Sequence, residues 1–325
     1  MTGRVLAALV ALALLASVPY WVGGTYYVNI SSQILLYAVF AMGLNVLVGY
    51  AGLVSLGHAG LFGIACYAGA VLITAGAGHT IAIVGALVAA VIGTAVFAGL
   101  ALRATGIGFV MITLALGQIL WGLAYRWLSL TNGDNGVSIS SRPAPFGIRL
   151  DDATPFYYAT LVVFLVTLAA VAVFVRSPFG ASLKGTRDQP RRMTALGYHV
   201  WLIRFNACLF SGLVSGVAGL LYLYYNQFIS PQAVSLASSA EVLLMVISGG
   251  SGTLLGPIAG AALVVMVKNV ASAYVERWNL LLGAIFVAIV VFMPEGFVPG
   301  SVRLARWAFR GSRGRVARIA AGERP

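Results

Sequence analysis

No Asp, Glu, Lys or Arg occurs between Arg4 and Arg103. A gap of that length is incompatible with a domain folded in water, where about a quarter of residues carry charge. The full sequence agrees: 9% of its residues are charged and 60% hydrophobic, and its mean hydropathy is +0.96. A helix that crosses a bilayer needs about 20 apolar residues, so the uncharged run alone has room for about four crossings. The expected fold class is an all-α integral membrane protein, a polytopic bundle. The net charge of +12 does not point to nucleic acid. It sits in loops and in a tail beside apolar runs, where Lys and Arg set orientation and favour anionic lipid headgroups.

Taken in order, Val5–Val22 reads as an uncleaved first span with its N-terminus inside, because Ser17-Val-Pro-Tyr20 makes a poor cleavage site. The glycine-rich block from Ile34 to Thr74 reads as two spans with a break near Gly49–Gly57, and Thr80–Leu102 as another. Glycines permit such a break where the freed backbone faces protein or water. Ile107–Leu128 follows, then a polar segment over 129–155 whose Asp134, Asp151 and Asp152 outweigh Arg142 and Arg149. Phe156–Val175 and Phe205–Tyr225 flank a loop over 176–204 that carries Arg176, Lys184, Arg187, Arg191 and Arg192 against Asp188 alone. The charge contrast puts 129–155 outside and 176–204 in the cytoplasm.

The block from Leu243 to Val267 is interrupted by Ser248-Gly-Gly-Ser-Gly-Thr-Leu-Leu-Gly-Pro257, and Leu280–Met293 is the last apolar run. The tail over 303–325 holds seven Arg against Glu323, which assigns it to the cytoplasm. That parity requires two short crossings, or a hairpin pivoting at the glycine-proline interruption. The sum is about ten membrane segments, some short or broken, by the roughly 20-residue length rule. They form one polytopic transmembrane domain over 1–302, followed by a basic cytoplasmic tail over 303–325. The spacing of Gly52, Gly57 and Gly60 loosely repeats in Gly252, Gly256 and Gly260, as in transporters built from inverted halves.

The loop over 176–204 carries helix punctuation. Ser177 followed by Pro178 reads as N-cap and N1. Asp188 is expected to cap a second short helix, with Gly197 as its stop. Two short helices would make a platform on the cytoplasmic face. Composition alone equally describes a solvated loop that obeys the positive-inside rule.

Chemistry-bearing sets are missing from the sequence. No G-x-x-x-x-G-K-[ST], H-E-x-x-H or G-x-S-x-G occurs, and no His, Cys and carboxylate cluster has metal-ligand spacing. The chain is therefore expected to be a non-enzyme that binds no cofactor of its own. Cys66 and Cys208 read as small buried apolar side chains. Glu241 is the one carboxylate near the interior of a membrane segment, a functional hypothesis by default, although the start of a helix also suits an acid. His58, with Asn45 and Ser55, reads either as lining a polar path or as making a single interhelical hydrogen bond.

Four stretches together resemble the permeases of branched-chain amino acid ABC importers, of the LivM type. They are Gly43-Leu-Asn-Val-Leu-Val-Gly-Tyr-Ala-Gly-Leu-Val-Ser-Leu-Gly-His-Ala-Gly60, Thr131-Asn-Gly-Asp-Asn-Gly136, Arg176 to Tyr198, and Ser239 to Pro257, in the family's order. The resemblance implies that the platform docks on a separate cytoplasmic ATPase. Its coupling residues would be Ser177, Pro178, Phe179, Gly180, Leu183, Arg187, Asp188, Arg191, Arg192, Leu196 and Gly197. The translocation pathway would involve Asn45, Ser55, His58, Glu241, Gly249, Gly250 and Gly252. Implied partners are a second, LivH-type permease, two ATPase subunits that use the ATP, an external substrate-binding protein and the lipid bilayer, with no nucleic acid. The implied place is the inner membrane of a prokaryote, with both termini cytoplasmic. Related permeases serve urea or short amides, and a self-sufficient channel or secondary transporter is the rival of a different class.

Overall fold

The computed structural model describes residues 13–21, 24–143 and 150–274, with isolated positions between 280 and 297. The first expected span is described only over 13–21, where it is helical. The run Leu280–Met293 lies almost wholly outside the described residues, and the tail over 303–325 entirely so.

Helix α1 (Thr25–Asn45) runs directly into a π-helical turn, Val46–Ala51. An irregular link over 52–57 then leads to α2 (His58–Thr74). The expected break is therefore real. Beyond it come α3 (His79–Ala101), α4 (Ile107–Arg126) and α5 (Ala153–Arg176). Two short helices follow, α6 (Pro178–Asp188) and α7 (Pro190–Ala195), then α8 (Val200–Asn226), α9 (Leu236–Gly249) and α10 (Gly256–Tyr274). Among the described residues, five helices are long and apolar enough to cross a membrane: α1 with its π-turn, α3, α4, α5 and α8. Helix α9, with 14 residues, is about 21 Å long, short of the ~30 Å of hydrocarbon.

The packing follows side-chain size rather than polarity. Helix α3 buries Ala82, Ala86, Ala90, Thr94 and Ala98 and exposes Ile81, Val84, Val88, Ile92 and Val96. Both stripes run mainly at i, i+4 spacing, so each winds slowly around the helix. Small residues face protein so that backbones approach closely, while branched residues face outward, as suits a helix in lipid. Helix α8 provides the receiving surface. Its Gly212 abuts Thr94 of α3, Gly216 abuts Ala90, and Gly219 abuts the Phe62 carbonyl and Cys66 of α2. Cys66 donates its thiol to the Gly219 carbonyl at 2.8 Å. Cys66 and Cys208 are both buried and unbridged, as expected. Helices α1 and α8 form the centre of the bundle, with 83% and 67% of their apolar windows buried against 33% for α3 and 22% for α4.

One end of the bundle is tied by a two-residue ladder, β1 (Val137–Ser138) antiparallel to β2 (Phe228–Ile229). Arg142 locks it. Its guanidinium donates to the Tyr224 and Tyr225 carbonyls at 2.8 and 2.9 Å, and to those of Leu150 and Asp151 at 3.0 and 3.1 Å. A cation here satisfies the orphan carbonyls at the C-terminus of α8. Burial lowers the Arg142 pKa, with Asp151 and Tyr225 opposing. The turn at Gly133–Asn135 lies on this surface, where Gln232 donates to Asp134 at 3.1 Å. Helices α6 and α7 sit at the other end of α5 and α8.

Helices α9 and α10 form the expected hairpin. Gly249 meets Gly256, Gly260 meets the Met245 carbonyl, and Glu241 faces Lys268. This pairing order is antiparallel, and it places the pivot at 250–255.

Candidate functional site

Helix α6 begins as its sequence demands. The Ser177 side chain accepts from the Gly180 N–H at 3.2 Å, and Pro178 occupies the first helical position. Leu183 is buried, Gly180 lies against the Val175 carbonyl, and the Phe179 ring packs 5.1 Å from Phe174. These three residues dock α6 on α5. Its charged side is left free to turn elsewhere.

The second cap differs from expectation. Asp188 is the last residue of α6, and Gln189 stands at the N-cap of α7 without a side-chain bond. The reason is Pro190 at the first position of α7. A proline pushes its predecessor out of helical geometry, and Gln189 has φ −145° and ψ 78°. The cap slot therefore falls one residue later than expected. Asp188 instead accepts from Arg187 Nε at 2.8 Å. Gly197 does stop α7: it has φ +87°, and the Tyr198 N–H reaches back to the Met193 carbonyl at 3.1 Å. Helix α7 buries none of its residues, and Arg191, Arg192 and Leu196 are exposed.

Arg187 joins this platform to the membrane domain. Its Nη1 donates to the Gly49 carbonyl, inside the π-turn, at 2.6 Å. The stem lies over Gly52, which has φ +69°. A Cβ at Gly52 would sit 2.6 Å from Arg187 Cγ, so this position needs glycine both for its backbone angle and for the approaching arginine. Lys184 stands 5.4 Å from the ring centre of Tyr50, the next π-turn residue, a cation–π contact.

The same π-turn touches the α9–α10 pivot. A side chain at Gly49 would strike the Gly252 nitrogen and Asn45 Oδ1. Asn45 itself, 1% exposed, clamps the pivot at two points. Its Nδ2 donates to the Thr253 carbonyl at 2.9 Å, and its Oδ1 accepts from the Gly252 N–H at 2.9 Å. Asn45 thus satisfies backbone groups freed by the interruption at 250–255, as an irregular segment at membrane depth requires. Gly250 and Gly252 both have positive φ, 114° and 78°. Three features far apart in sequence meet here: the broken α1–α2 unit, the hairpin pivot and the platform helix.

The other candidates occupy different places. His58 is fully buried, 2.6 Å from Ser215 Oγ and 3.5 Å from Ser211 Oγ, both of α8. Its ring stacks on Phe40 at 5.7 Å. His58 Nε2 thus makes an interhelical contact with α8, while its buried Nδ1 has no hydrogen-bond partner among the described residues. Ser55 is buried in the link before α2, and Ala59 at the head of α2 donates to Ser239 Oγ of α9 at 3.0 Å. Glu241 lies in the second turn of α9, away from the junction, and pairs with Lys268 at 3.1 Å. Gly249 is buried against Gly256. Sequence reasoning missed Arg142 and Lys268. Lys268 pairs with Glu241 across 27 positions, a partner that no local pattern announces.

Comparison with known proteins agrees with this architecture. Residues 26–290 match the family described as "Branched-chain amino acid transport system / permease component". The high-affinity branched-chain amino acid transport system permease protein LivM of Salmonella typhimurium is 28% identical over 297 residues, which cover 84% of this chain and 70% of that protein. Its namesake in Escherichia coli is 29% identical over 319 residues, 90% of this chain and 74% of that protein. A probable LivM permease of Methanocaldococcus jannaschii is 23% identical over 181 residues, 47% of this chain and 52% of that protein. No solved structure gives a significant match. The family match takes in the broken helix, the platform and the hairpin together, and the chain belongs to the permease components of branched-chain amino acid transport systems, multi-pass proteins of the membrane.

Proposed function

We propose that this chain is the membrane half of an ATP-driven importer of branched-chain amino acids, moved by separate ATPase subunits that dock on α6 and α7. The observation that supports this most is the bond from Arg187 to the Gly49 carbonyl. It ties the platform to the one place where both interrupted membrane segments meet, so a displacement of α6 acts on Asn45–Gly57 and on the hairpin pivot at once. Helix α7 buries none of its residues. Its exposed Arg191, Arg192 and Leu196, with Tyr198, Trp201 and Leu202 beside them, form a basic and apolar surface of the kind an interface buries.

In this reading the platform lies in the cytoplasm, as its excess of Lys and Arg favours, and both termini lie there too. The β1–β2 end faces outward, where a substrate-binding protein would dock. A second permease of the LivH type would complete the pathway. The chain itself performs no catalysis: ATP is bound and hydrolysed by its partners. The inner membrane of a prokaryote follows from the same assembly.

The test is co-purification of the ATPase subunits with the intact permease pair, followed by L-leucine uptake into proteoliposomes containing the binding protein and ATP. Changing Arg191, Arg192 and Leu196 together to Ala is expected to release the ATPase and abolish uptake, while the chain stays inserted. Leucine flux that proceeds equally without ATP would overturn the reading in favour of a channel or secondary transporter.

A further inference from the structure

The junction at Gly49 makes no use of the ion pair between Glu241 and Lys268. Lys268 Nζ lies 3.1 and 3.2 Å from the two carboxylate oxygens, and the side chains of Lys268 and Glu241 are 29% and 15% exposed. Ionised groups within membrane segments are costly and point to function by default. Both residues line a cavity of about 210 Å³ enclosed by α1, α2, α8, α9 and α10 and the 230–233 turn. Its lining also holds four aromatic rings, Tyr37, Phe40, Phe62 and Tyr222, beside the polar Ser230, Gln232 and Ser238. Phe62 stacks on Phe40 at 4.6 Å and meets Tyr222 edge-on at 5.3 Å. The cavity therefore combines a full positive and a full negative charge with the apolar faces of Phe40 and Phe62.

We propose that this cavity holds one zwitterionic aliphatic α-amino acid during passage, with its carboxylate on Lys268, its ammonium on Glu241 and its side chain against the rings of Phe40 and Phe62. Charge balance selects that ligand. A zwitterion that inserts into a protein ion pair replaces one pair by two, so every charge keeps an opposite neighbour and the net charge of the site stays zero. A ligand with only one of the two charges separates the protein pair and leaves one buried charge unmatched, the arrangement that low-dielectric surroundings penalise most. Size agrees. Pockets for drug-sized ligands measure about 300–1,000 Å³, and 210 Å³ suits a single smaller molecule. The site deepens the permease reading, on which its amino-acid class rests, and it can be tested without the ATPase.

Ser238 lines the cavity and is partly exposed. In a full-length S238C chain in lipid nanodiscs it offers a thiol for a small maleimide, while Cys66 and Cys208 are buried. L-Leucine at ten times its dissociation constant is expected to slow labelling about tenfold by simple occupancy. L-Leucinamide, which lacks the carboxylate, and 4-methylpentanoate, which lacks the ammonium, are expected to leave the rate within twofold of the ligand-free value at the same concentration. Adding E241Q and K268M together removes both charges and is expected to abolish protection. The reversed pair, E241K with K268E, keeps an ion pair and serves to show that the fold survives exchange at these positions. Absence of protection by L-leucine would overturn the site. So would equal protection by the singly charged analogues, or protection that persists in E241Q/K268M. Loss of ATP-dependent uptake by the assembled transporter, with protection by leucine intact, would refute the ATPase coupling and uphold the site.

Discussion

Replacing Arg187 with Ala should loosen the π-turn far more than replacing Asp188 with Ala, although the two side chains form one ion pair. The structure assigns them unequal work. Arg187 Nη1 donates to the partly buried Gly49 carbonyl at 2.6 Å, and a hydrogen bond from a charged group contributes about 1.5–3 kcal/mol. Its side chain is 39% exposed, so solvent screening favours the lower end, about 1.5 kcal/mol. Loss of the stem over Gly52 removes the equivalent of less than one buried methylene, about 0.5 kcal/mol. The sum, about 2 kcal/mol, is a factor of roughly 30 in a local opening equilibrium. Asp188, by contrast, is 61% exposed and contributes an ordinary surface pair, typically 0–1 kcal/mol. Hydrogen exchange of the full chain in nanodiscs reads this directly. The amide of Leu53, bonded to the Leu47 carbonyl at 2.9 Å across the π-turn, should exchange about 30 times faster in Arg187→Ala and less than about fivefold faster in Asp188→Ala. Equal effects of the two changes, or an Arg187→Ala change below threefold, would refute the assignment of Arg187 as the tie between platform and broken helix.

Other outcomes follow from the same geometry. Gly52→Ala should lower the thermal midpoint: a non-glycine residue in the left-handed region costs about 1–2 kcal/mol, and its Cβ would meet Arg187 Cγ at 2.6 Å. Combining it with Arg187→Ala should recover part of the loss by relieving that contact, which a double-mutant cycle would measure. Ser177→Ala should cost about 1 kcal/mol in unfolding free energy through loss of the N-cap, and Ser177→Asp should restore most of it. Ser215→Ala withdraws the 2.6 Å partner of the buried His58 and should destabilise by about 1–3 kcal/mol. Glu241→Gln alone should destabilise the chain more than Glu241→Gln with Lys268→Met, because removing one member of this partly buried pair costs the attraction while the other charge still has to be desolvated, roughly 1–3 kcal/mol. Thermal unfolding of the two proteins in the same detergent would decide it.

Much of the fold was legible because membrane insertion is a coarse physical filter. The long uncharged run announced the spans, and α3 and α4 fall within two residues of their expected ends. The glycines at 49–57 and 248–257 located both interruptions, since hydrocarbon tolerates few reasons for such residues. The Ser177–Pro178 cap was legible for a local reason: N-cap chemistry needs only a few neighbouring residues. The Asp188 expectation failed on an equally local rule, because Pro190 outranks the capping preference of an acid two residues earlier. What could not be read were pairings across the chain. Asn45 meets Thr253 and Arg187 meets Gly49, and no periodicity encodes contacts 208 or 138 positions apart. The pairing of Glu241 with Lys268 was unreadable for the same reason. Glu241 was visible as a costly charge, but its partner depends on the hairpin geometry of α9 and α10.

The double clamp of Asn45 has a consequence for how the protein comes into being. The polar groups it satisfies belong to Gly252 and Thr253, and the Gly49 carbonyl accepts its hydrogen bond from Arg187. A ribosome delivers those residues more than a hundred positions after the broken helix. Chains emerge N-terminal part first, so the first spans enter the bilayer with Asn45, Gly49 and His58 lacking the partners that later α6, α8 and the hairpin supply. Lipid offers them no substitute. The early segments must therefore wait in a wetter setting, beside the insertion machinery or one another, until synthesis reaches the α9–α10 pivot. Assembly of this membrane domain is a closing event that comes late, since a turn near residue 250 completes a helix laid down near residue 45.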